Sequence, residues 1–320
     1  MASHVSASAY SATSSALYQS TIASTGIQRE TFADRLSQTK NWLYNAEENL
    51  LMGRSPIDWL LYIGSLFLFI CALIGMSAAF FAIFYWIIDW NDPTLRGPSS
   101  ILQVPGMGFR PQPDASTTLI RFIKGDSTTY FHYLDHLEAF IQYYEYELQQ
   151  GDNFKDCQEI NTRRAEELHK VCVFEVEQLG GDCVKQQNYG FDDGQPCILL
   201  KMNKIYDWFP EEYTNETVPG FLRDRWEALG PWWVHIVCSG DDPATVENMG
   251  DLIIYPEGGF HFKYFPFRNQ QGYRSPIAFL RFDNPTPGIL LMMTCKVFAR
   301  NIIHNRVESM GQVSFELMVD

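Results

Sequence analysis

Clustered positive charge is scarce in this chain of 320 residues. Its 24 Lys and Arg residues are outnumbered by 38 Asp and Glu residues, which gives a formal net charge of -14 at pH 7. Nucleic-acid binding needs clustered Lys and Arg against the phosphates. The composition therefore excludes nucleic acid as a partner and decides little else, because an acidic surface mostly serves solubility.

Catalytic motifs are missing as well. The sequence has no GxSxG, GxxxxGK[ST] or HExxH motif, no Asp-x-Asp pair and no CxxC pair. His132 and His136 are spaced for one face of a helix, with Asp135 and Glu138 nearby, but two imidazoles on a surface helix are common by chance. We therefore predict no catalytic residue, no metal site and no cofactor.

Two long segments carry no formal charge. Met1–Gln28 is rich in Ser, Thr and Ala, and cannot bury enough apolar surface to offset its ordering entropy, so we predict that 1–28 is largely disordered within a tail of residues 1–58. Trp59–Ile88 is dominated by Leu, Ile, Phe and Ala. Since about 20 apolar residues span a bilayer as a helix, residues 59–88 are predicted to be a single transmembrane helix in contact with lipid.

The cysteines indicate the orientation of this helix. Cys71 lies within the span and the other six follow it, as an even set that suits an oxidising compartment. Asn215, in the sequon Asn-Glu-Thr, fits a glycosylated turn on the same side. We therefore expect a cytosolic N-terminus and an extracellular C-terminal region. Six cysteines allow fifteen pairings, and the count alone selects none of them; they are Cys157, Cys172, Cys183, Cys197, Cys238 and Cys295.

The region after the span is predicted to be mainly β. Residues 89–128, rich in Pro and Gly from Pro93 to Pro113, are expected to form an extended stalk, and Tyr130–Leu148 has helical spacing of apolar residues. Beyond it, apolar and polar residues alternate in short runs between turns, which predicts an antiparallel sheet or sandwich within a domain of residues 129–320. The strand candidates are Cys172–Glu177, Cys197–Met202, Trp232–Cys238, Asp251–Tyr255, Ile277–Phe282, Leu290–Ala299 and Val313–Val319.

Two groups of residues are candidates for contact with a partner. On the span, Gly75 and Ala79 would let another helix approach closely. Aromatic side chains near the ends of the span prefer the membrane interface. In the outer domain, the aromatic run around Pro266 is either core or a docking surface. The full candidate set is Tyr62, Gly75, Ala79, Tyr85, Trp86, Tyr264, Phe265 and Phe267.

Taken together, these features resemble the β subunit of the Na⁺/K⁺-ATPase and its relative in the gastric H⁺/K⁺-ATPase. The order of short tail, Gly53-Arg54, aromatic-rich span, stalk motif Pro105–Pro111 and six outer cysteines is similar to that family from about residue 51 to residue 320. The most specific stretches are Cys172–Gly180, Tyr189–Asn203 and Tyr264-Phe-Pro-Phe267, the last similar to the family's Tyr-Tyr-Pro-Tyr.

The resemblance implies a non-catalytic subunit at the plasma membrane. Its outer domain would be an immunoglobulin-like antiparallel sandwich with an inserted helix. The chain would pair with the catalytic α subunit of a P-type Na⁺/K⁺-ATPase, help it to fold, assemble and reach the plasma membrane, and modulate K⁺ occlusion, while ATP hydrolysis belongs to α. Contacts between β chains in cell adhesion are a further expectation. The family's disulfides would join Cys157 to Cys172, Cys183 to Cys197 and Cys238 to Cys295.

Two other functions remain open from sequence. A type II membrane glycosyltransferase or ectoenzyme would share the single span and the outer domain. A cell-adhesion receptor would need only the exposed surface of the outer domain.

Overall fold

The protein folds as two units divided after Ile88. The computed structural model describes residues 32–46, 48–90, 92–157 and 169–320. The segment 1–28, predicted to be disordered, lies outside the described residues.

The N-terminal unit has a short helix, a small hairpin and one long helix. Helix α1 (Phe32–Leu43) is followed by the two-residue strands β1 (Tyr44–Asn45) and β2 (Leu50–Leu51), which pair antiparallel. Helix α1 ends at Leu43. The chain turns there, and Asn49 and Met52 adopt positive φ angles that a helix cannot contain.

Helix α2 (Pro56–Ile87) is the membrane-span candidate. Ser55 caps it: the Ser55 hydroxyl accepts a hydrogen bond from the Asp58 backbone N–H, and the Asp58 carboxylate accepts one from the Ser55 backbone N–H. Its 32 residues correspond to a length of about 48 Å, against about 30 Å of hydrocarbon. No residue of α2 is buried, so its whole apolar surface is available to lipid or to another helix.

The C-terminal unit is built on two sheets. One has five strands in the order β10-β8-β12-β13-β4, and the other has four in the order β3-β7-β11-β9. All neighbours in these two sheets are antiparallel except β13 and β4, which are parallel. The bounds are β3 (Met107–Arg110), β4 (Leu119–Phe122), β7 (Cys197–Met202), β8 (Trp233–Gly240), β9 (Asp251–Tyr255), β10 (Phe260–His261), β11 (Ile277–Asp283), β12 (Leu290–Phe298) and β13 (Gln312–Val319).

Both sheets contribute to one hydrophobic core. Phe315 of β13 stacks on Phe109 of β3 with ring centroids 5.1 Å apart, and meets Phe282 of β11 edge to face at 6.4 Å. These contacts join strands of different sheets. The region after the span is therefore a mainly β domain in which two sheets pack face to face.

Among the described residues, three α-helices and a small two-stranded sheet complete the unit. Helix α3 (Ser127–Ile141) lies between β4 and the small sheet of β5 (Phe154–Lys155) and β6 (Val171–Cys172) in the chain; α4 (Arg223–Leu229) and α5 (Pro243–Asn248) are short. Asp126 caps α3 by accepting a hydrogen bond from the Thr128 backbone N–H. Buried Tyr130, Tyr133 and Leu137 line the inner face of α3.

The structure differs from the sequence predictions in three elements. Strands β3 and β4 lie in the range 89–128 that was expected to be extended stalk, because their residues pair with distant strands β7 and β13. Helix α3 ends at Ile141, and 3₁₀ turns replace its predicted continuation to Leu148. The alternating run Cys172–Glu177 is a strand only at its first residue, as the end of β6 (Val171–Cys172). Its partner strand β5 ends at Lys155, which pairs with Cys172.

Candidate partner-binding surfaces and disulfide framework

Three disulfides tie the C-terminal unit together. Cys157 bonds to Cys172 and Cys183 to Cys197, with S–S distances of 2.11 and 2.04 Å. These bridges hold β6 and the start of β7 to the segments that precede them. Cys71 on α2 is the free cysteine of the described residues and is exposed.

The third disulfide, Cys238–Cys295, lies inside the five-stranded sheet. The two residues are direct partners in the register of β8 and β12, their Cα atoms are 4.0 Å apart, and Cys295 is fully buried. The bridge therefore closes a loop of 57 residues between neighbouring strands of one sheet. It locks the central pairing of that sheet.

Asn215 lies on an exposed turn. Its backbone carbonyl accepts a hydrogen bond from Arg223. The hydroxyl of Thr217, in the same sequon, accepts a hydrogen bond from the Thr214 backbone N–H. The Asn215 side chain is exposed and stands clear of the core. A glycan attached there would extend into solvent.

The aromatic segment Tyr264–Phe267 is divided between core and surface. Phe265 is 5% exposed and packs edge to face on Trp208 at 5.5 Å. Tyr264 and Phe267 are half-buried, against Phe174 at 4.9 Å and Tyr273 at 5.0 Å. Phe265 therefore fixes the segment, and only the rings on either side of it keep accessible area for a partner.

Beside this segment lies a cavity of about 280 Å³. Its wall includes Trp233, His261, Lys263 and Tyr264. Burial raises the pKa of the Tyr264 hydroxyl, helped by the negative charge of Glu175. Burial, followed by the positive charge of Lys263, lowers the pKa of His261 to about 4. At neutral pH this wall therefore presents a neutral imidazole and a neutral phenol.

On helix α2 the five candidate residues are all exposed, but they do not share one face. At about 100° per residue, Gly75, Ala79 and Trp86 point within about 40° of one another. Tyr62 and Tyr85 point about 120° and about 100° away from the middle of this face, to either side of it. The Arg54 guanidinium lies 5.3 Å from the Tyr62 ring centroid. The helix thus has one narrow face of small residues that ends at Trp86.

The histidines considered for metal binding have other environments. The His136 ring accepts a hydrogen bond from the backbone N–H of Gln112, and burial together with Arg110 lowers its pKa. His132 is exposed, and Glu138 pairs with Lys185. Within the described ranges, no three His, Cys, Asp or Glu side chains are close enough to hold a metal ion.

One contact that sequence reasoning missed connects the start of the stalk to the domain. The Tyr206 hydroxyl donates a hydrogen bond to the Asp92 carboxylate, and this bond lowers the pKa of Asp92. In the residue next to Tyr206, the Asp207 carboxylate forms an ion pair with Arg268 at 2.6 Å. Asp92 follows Ile87 by five residues, whereas Tyr206 is 114 positions further on. No local pattern signals a pairing at that separation.

These features define a class of protein that has, in the part of the chain described, one helix able to span a membrane and a disulfide-bonded, mainly β domain after it. The sequence pattern described as sodium / potassium ATPase beta chain matches residues 29–315. The chain belongs to this family.

The chain is similar in sequence to named relatives along most of their length. The sodium/potassium-transporting ATPase subunit beta-2 of Drosophila melanogaster is 32% identical, with 88% of this chain and 91% of the relative covered. Subunit beta-1 of the same organism is 30% identical, with 87% of this chain and 91% of the relative covered. Subunit beta-2 of Homo sapiens is 22% identical, with 89% of this chain and 95% of the relative covered. The similarity therefore includes both helix α2 and the mainly β domain.

Proposed function

We propose that this chain is the non-catalytic β subunit of a Na⁺/K⁺-transporting P-type ATPase. It assembles with the catalytic α subunit, supports its folding and its delivery to the plasma membrane, and modulates K⁺ occlusion. Membership of the β chain family carries the proposal. The exposed apolar surface of α2 supports it, because a partner helix in the same membrane can cover the face of Gly75 and Ala79.

The proposal includes a type II topology. Residues 1–58 are cytosolic, 59–88 cross the plasma membrane in contact with lipid, and 89–128 lead to the outer domain of residues 129–320. The three disulfides support this orientation, because all of them lie after the span and disulfides persist in oxidising compartments. A glycan on Asn215 belongs to the same topology.

The outer domain is proposed to be an immunoglobulin-like sandwich with α3 as its inserted helix. Two packed, mostly antiparallel sheets around one core support that assignment. Its disulfide Cys238–Cys295 joins neighbours in one sheet, whereas antibody domains carry an inter-sheet bridge.

Catalysis is assigned to the α subunit, and the β chain contributes binding surfaces. The contact residues proposed for α are Tyr62, Gly75, Ala79, Tyr85 and Trp86 on the span, and Tyr264, Phe265 and Phe267 in the outer domain. Phe265 acts from within the core by holding the rings of Tyr264 and Phe267. Adhesion between β chains on neighbouring cells is proposed as a second use of the outer surface, whereas family membership disfavours a glycosyltransferase or ectoenzyme.

Co-expression tests the proposed function. In cells depleted of their own β subunits, adding this chain should raise the amount of α at the surface and the ouabain-sensitive uptake of Rb⁺ together. A chain that ends at Ile88, and therefore lacks the outer domain, is the control that shows whether this domain is needed. Surface α that is independent of the added full-length chain would refute the proposal.

A further inference from the structure

Helix α1 and the β1–β2 hairpin expose many large apolar side chains just before the span. This part of the chain, residues 32–52, is here called the juxtamembrane segment. Its exposed apolar side chains are between 42% and 62% accessible, and they are Leu36, Trp42, Leu43, Tyr44, Leu51 and Met52. Surfaces that face water rarely keep so many large apolar side chains together. The juxtamembrane segment therefore needs a surface that covers it.

Helix α1 separates its apolar and polar side chains onto different faces. At about 100° per residue, Leu36 and Leu43 point within about 20° of each other. Gln38 and Asn41 point about 160° and about 140° away from Leu36, on the opposite side. Lys40 lies about 40° from Leu36, where its aliphatic stem can follow the edge of the apolar face while its ammonium group stays in water. All of these side chains are exposed, so α1 presents a leucine face that nothing in its own unit covers.

Hydrogen bonds attach the juxtamembrane segment to the first turns of α2. The Trp59 indole N–H donates to the Leu51 carbonyl at 2.7 Å, and the Met52 backbone N–H donates to the Leu43 carbonyl at 3.0 Å. Trp59 also packs edge to face on Tyr62, with ring centroids 5.8 Å apart. Tryptophan and tyrosine rings at the end of a span prefer the boundary between membrane and water. The end of α1 is therefore held at the level of that boundary.

Charge does not select a different occupant for the leucine face. From residue 32 to residue 58 the cations Arg35, Lys40 and Arg54 face a nearly equal number of acids, namely Asp34, Glu47, Glu48 and Asp58. A nearly neutral segment has no strong electrostatic attraction for a highly charged protein or nucleic acid. Exposed leucine and aromatic side chains beside a span instead suit the lipid interface.

The connection to the span makes contact with lipid favourable even for a short helix. Helix α1 has 12 residues, and an isolated helix of that length is only marginally stable in water. Because the span already lies in the bilayer, contact between α1 and lipid is intramolecular and avoids the loss of free diffusion that a separate peptide would undergo. Insertion of the leucine face also stabilises the helical conformation, since only a helix brings Leu36 and Leu43 to one side.

We propose that the juxtamembrane segment binds the lipid surface of the cytosolic leaflet, with α1 parallel to the membrane and Leu36 and Leu43 inserted below the headgroups. The choice of leaflet rests on the topology given under the proposed function, whereas the contact with lipid rests on the leucine face and its attachment to α2. Trp42 points about 120° away from Leu36 on α1, so its indole lies at headgroup level, as Trp59 and Tyr62 do. The segment is thus a second membrane attachment beside the span, and it fixes the depth at which α2 begins.

A depth measurement with a nitroxide spin label tests the proposal. Cys71 is the free cysteine of the described residues, so Cys71→Ala removes the reactive thiol and Leu36→Cys then provides one labelling site in the full-length chain. Asn41→Cys, on the polar face, is the matched control. In nanodiscs of phosphatidylcholine, collisions of the label with O₂, which concentrates in lipid, are compared with collisions with a water-soluble nickel chelate. We expect the ratio of O₂ to nickel collisions to be about tenfold higher at position 36 than at position 41.

The outcomes separate lipid from protein as the covering surface. Equal accessibility to nickel at positions 36 and 41 would overturn the proposal, because α1 would then lie in water. A label at position 36 that is shielded from both reagents only when α is present would also overturn it, since α would then cover the leucine face. The depth is measured on the chain alone, whereas the proposed function is tested by co-purification of α, so either one can fail without the other.

Tryptic cleavage after Lys40 provides a second test that needs no label. Leu36→Gln/Leu43→Gln removes the apolar face and keeps a helix propensity close to that of leucine. Gln38→Ala/Asn41→Ala changes the opposite face and is the matched control. In nanodiscs we expect cleavage about tenfold faster in the leucine variant and at the wild-type rate in the control, and Leu36→Met/Leu43→Met should restore slow cleavage. Equal cleavage rates in wild type and the leucine variant would overturn the proposal.

Discussion

Removing the disulfide inside the five-stranded sheet should lower the free energy of unfolding more than removing either of the other two disulfides. In the loop-entropy treatment, closing loops of 57, 15 and 14 residues contributes about 4, 3 and 3 kcal/mol to the free energy of unfolding. The bridge between Cys238 and Cys295 also joins β8 to β12, the central strand of the sheet. We therefore expect Cys238→Ala or Cys295→Ala to destabilise the domain by about 4 kcal/mol.

The double variant makes the prediction sharper. Each single substitution already breaks the one bond, so Cys238→Ala/Cys295→Ala should lose about 4 kcal/mol rather than about 8. Urea unfolding of the full-length chain in detergent, followed by tryptophan fluorescence, measures the loss, and retention in the endoplasmic reticulum reports it in cells. Cys157→Ala/Cys172→Ala is the matched control, at about 3 kcal/mol. Additive single losses, or a larger loss in the control, would refute the reasoning.

Three further predictions follow from the span, the sequon and a buried histidine. Gly75→Leu should weaken retention of α about tenfold by keeping a partner helix away, whereas Ser77→Leu on the opposite face should not; equal effects would contradict a specific face. Asn215→Gln should remove one glycosidase-sensitive mobility shift, and an unchanged mobility would count against the proposed orientation. His235 is fully buried, with neither ring nitrogen hydrogen-bonded, and burial followed by the charge of Arg225 lowers its pKa to about 4. The folded state therefore disfavours its protonation, and stability should fall by about 3 kcal/mol as pH drops from 6.5 towards 4. In pH-dependent urea unfolding, His235→Leu should flatten that fall.

Several strands were predictable from sequence as short apolar runs between turn residues. Cys197–Met202 and Asp251–Tyr255 have the same bounds in the structure, and β8, β11 and β12 differ by a residue or two at their ends. Nearly every residue of β7 and β11 is buried, so in these strands the local run of apolar residues carries the information. The long uncharged helix was predictable for the same reason, because its length and composition are local properties.

Elements that depend on distant partners were not predictable. Strand β4 has four residues and exists through its parallel pairing with β13, almost two hundred positions later. Composition also could not divide the aromatic run, in which Phe265 is core while Tyr264 and Phe267 remain half-buried.

The central claim is that this chain works as a subunit of a P-type ATPase. Affinity purification of the tagged full-length chain from the cell surface, followed by quantitative mass spectrometry, tests it most directly. The account predicts a catalytic α subunit in near-equal amount, retained through a detergent wash. A cell-surface preparation in which the folded, disulfide-bonded chain carries no such ATPase would contradict it.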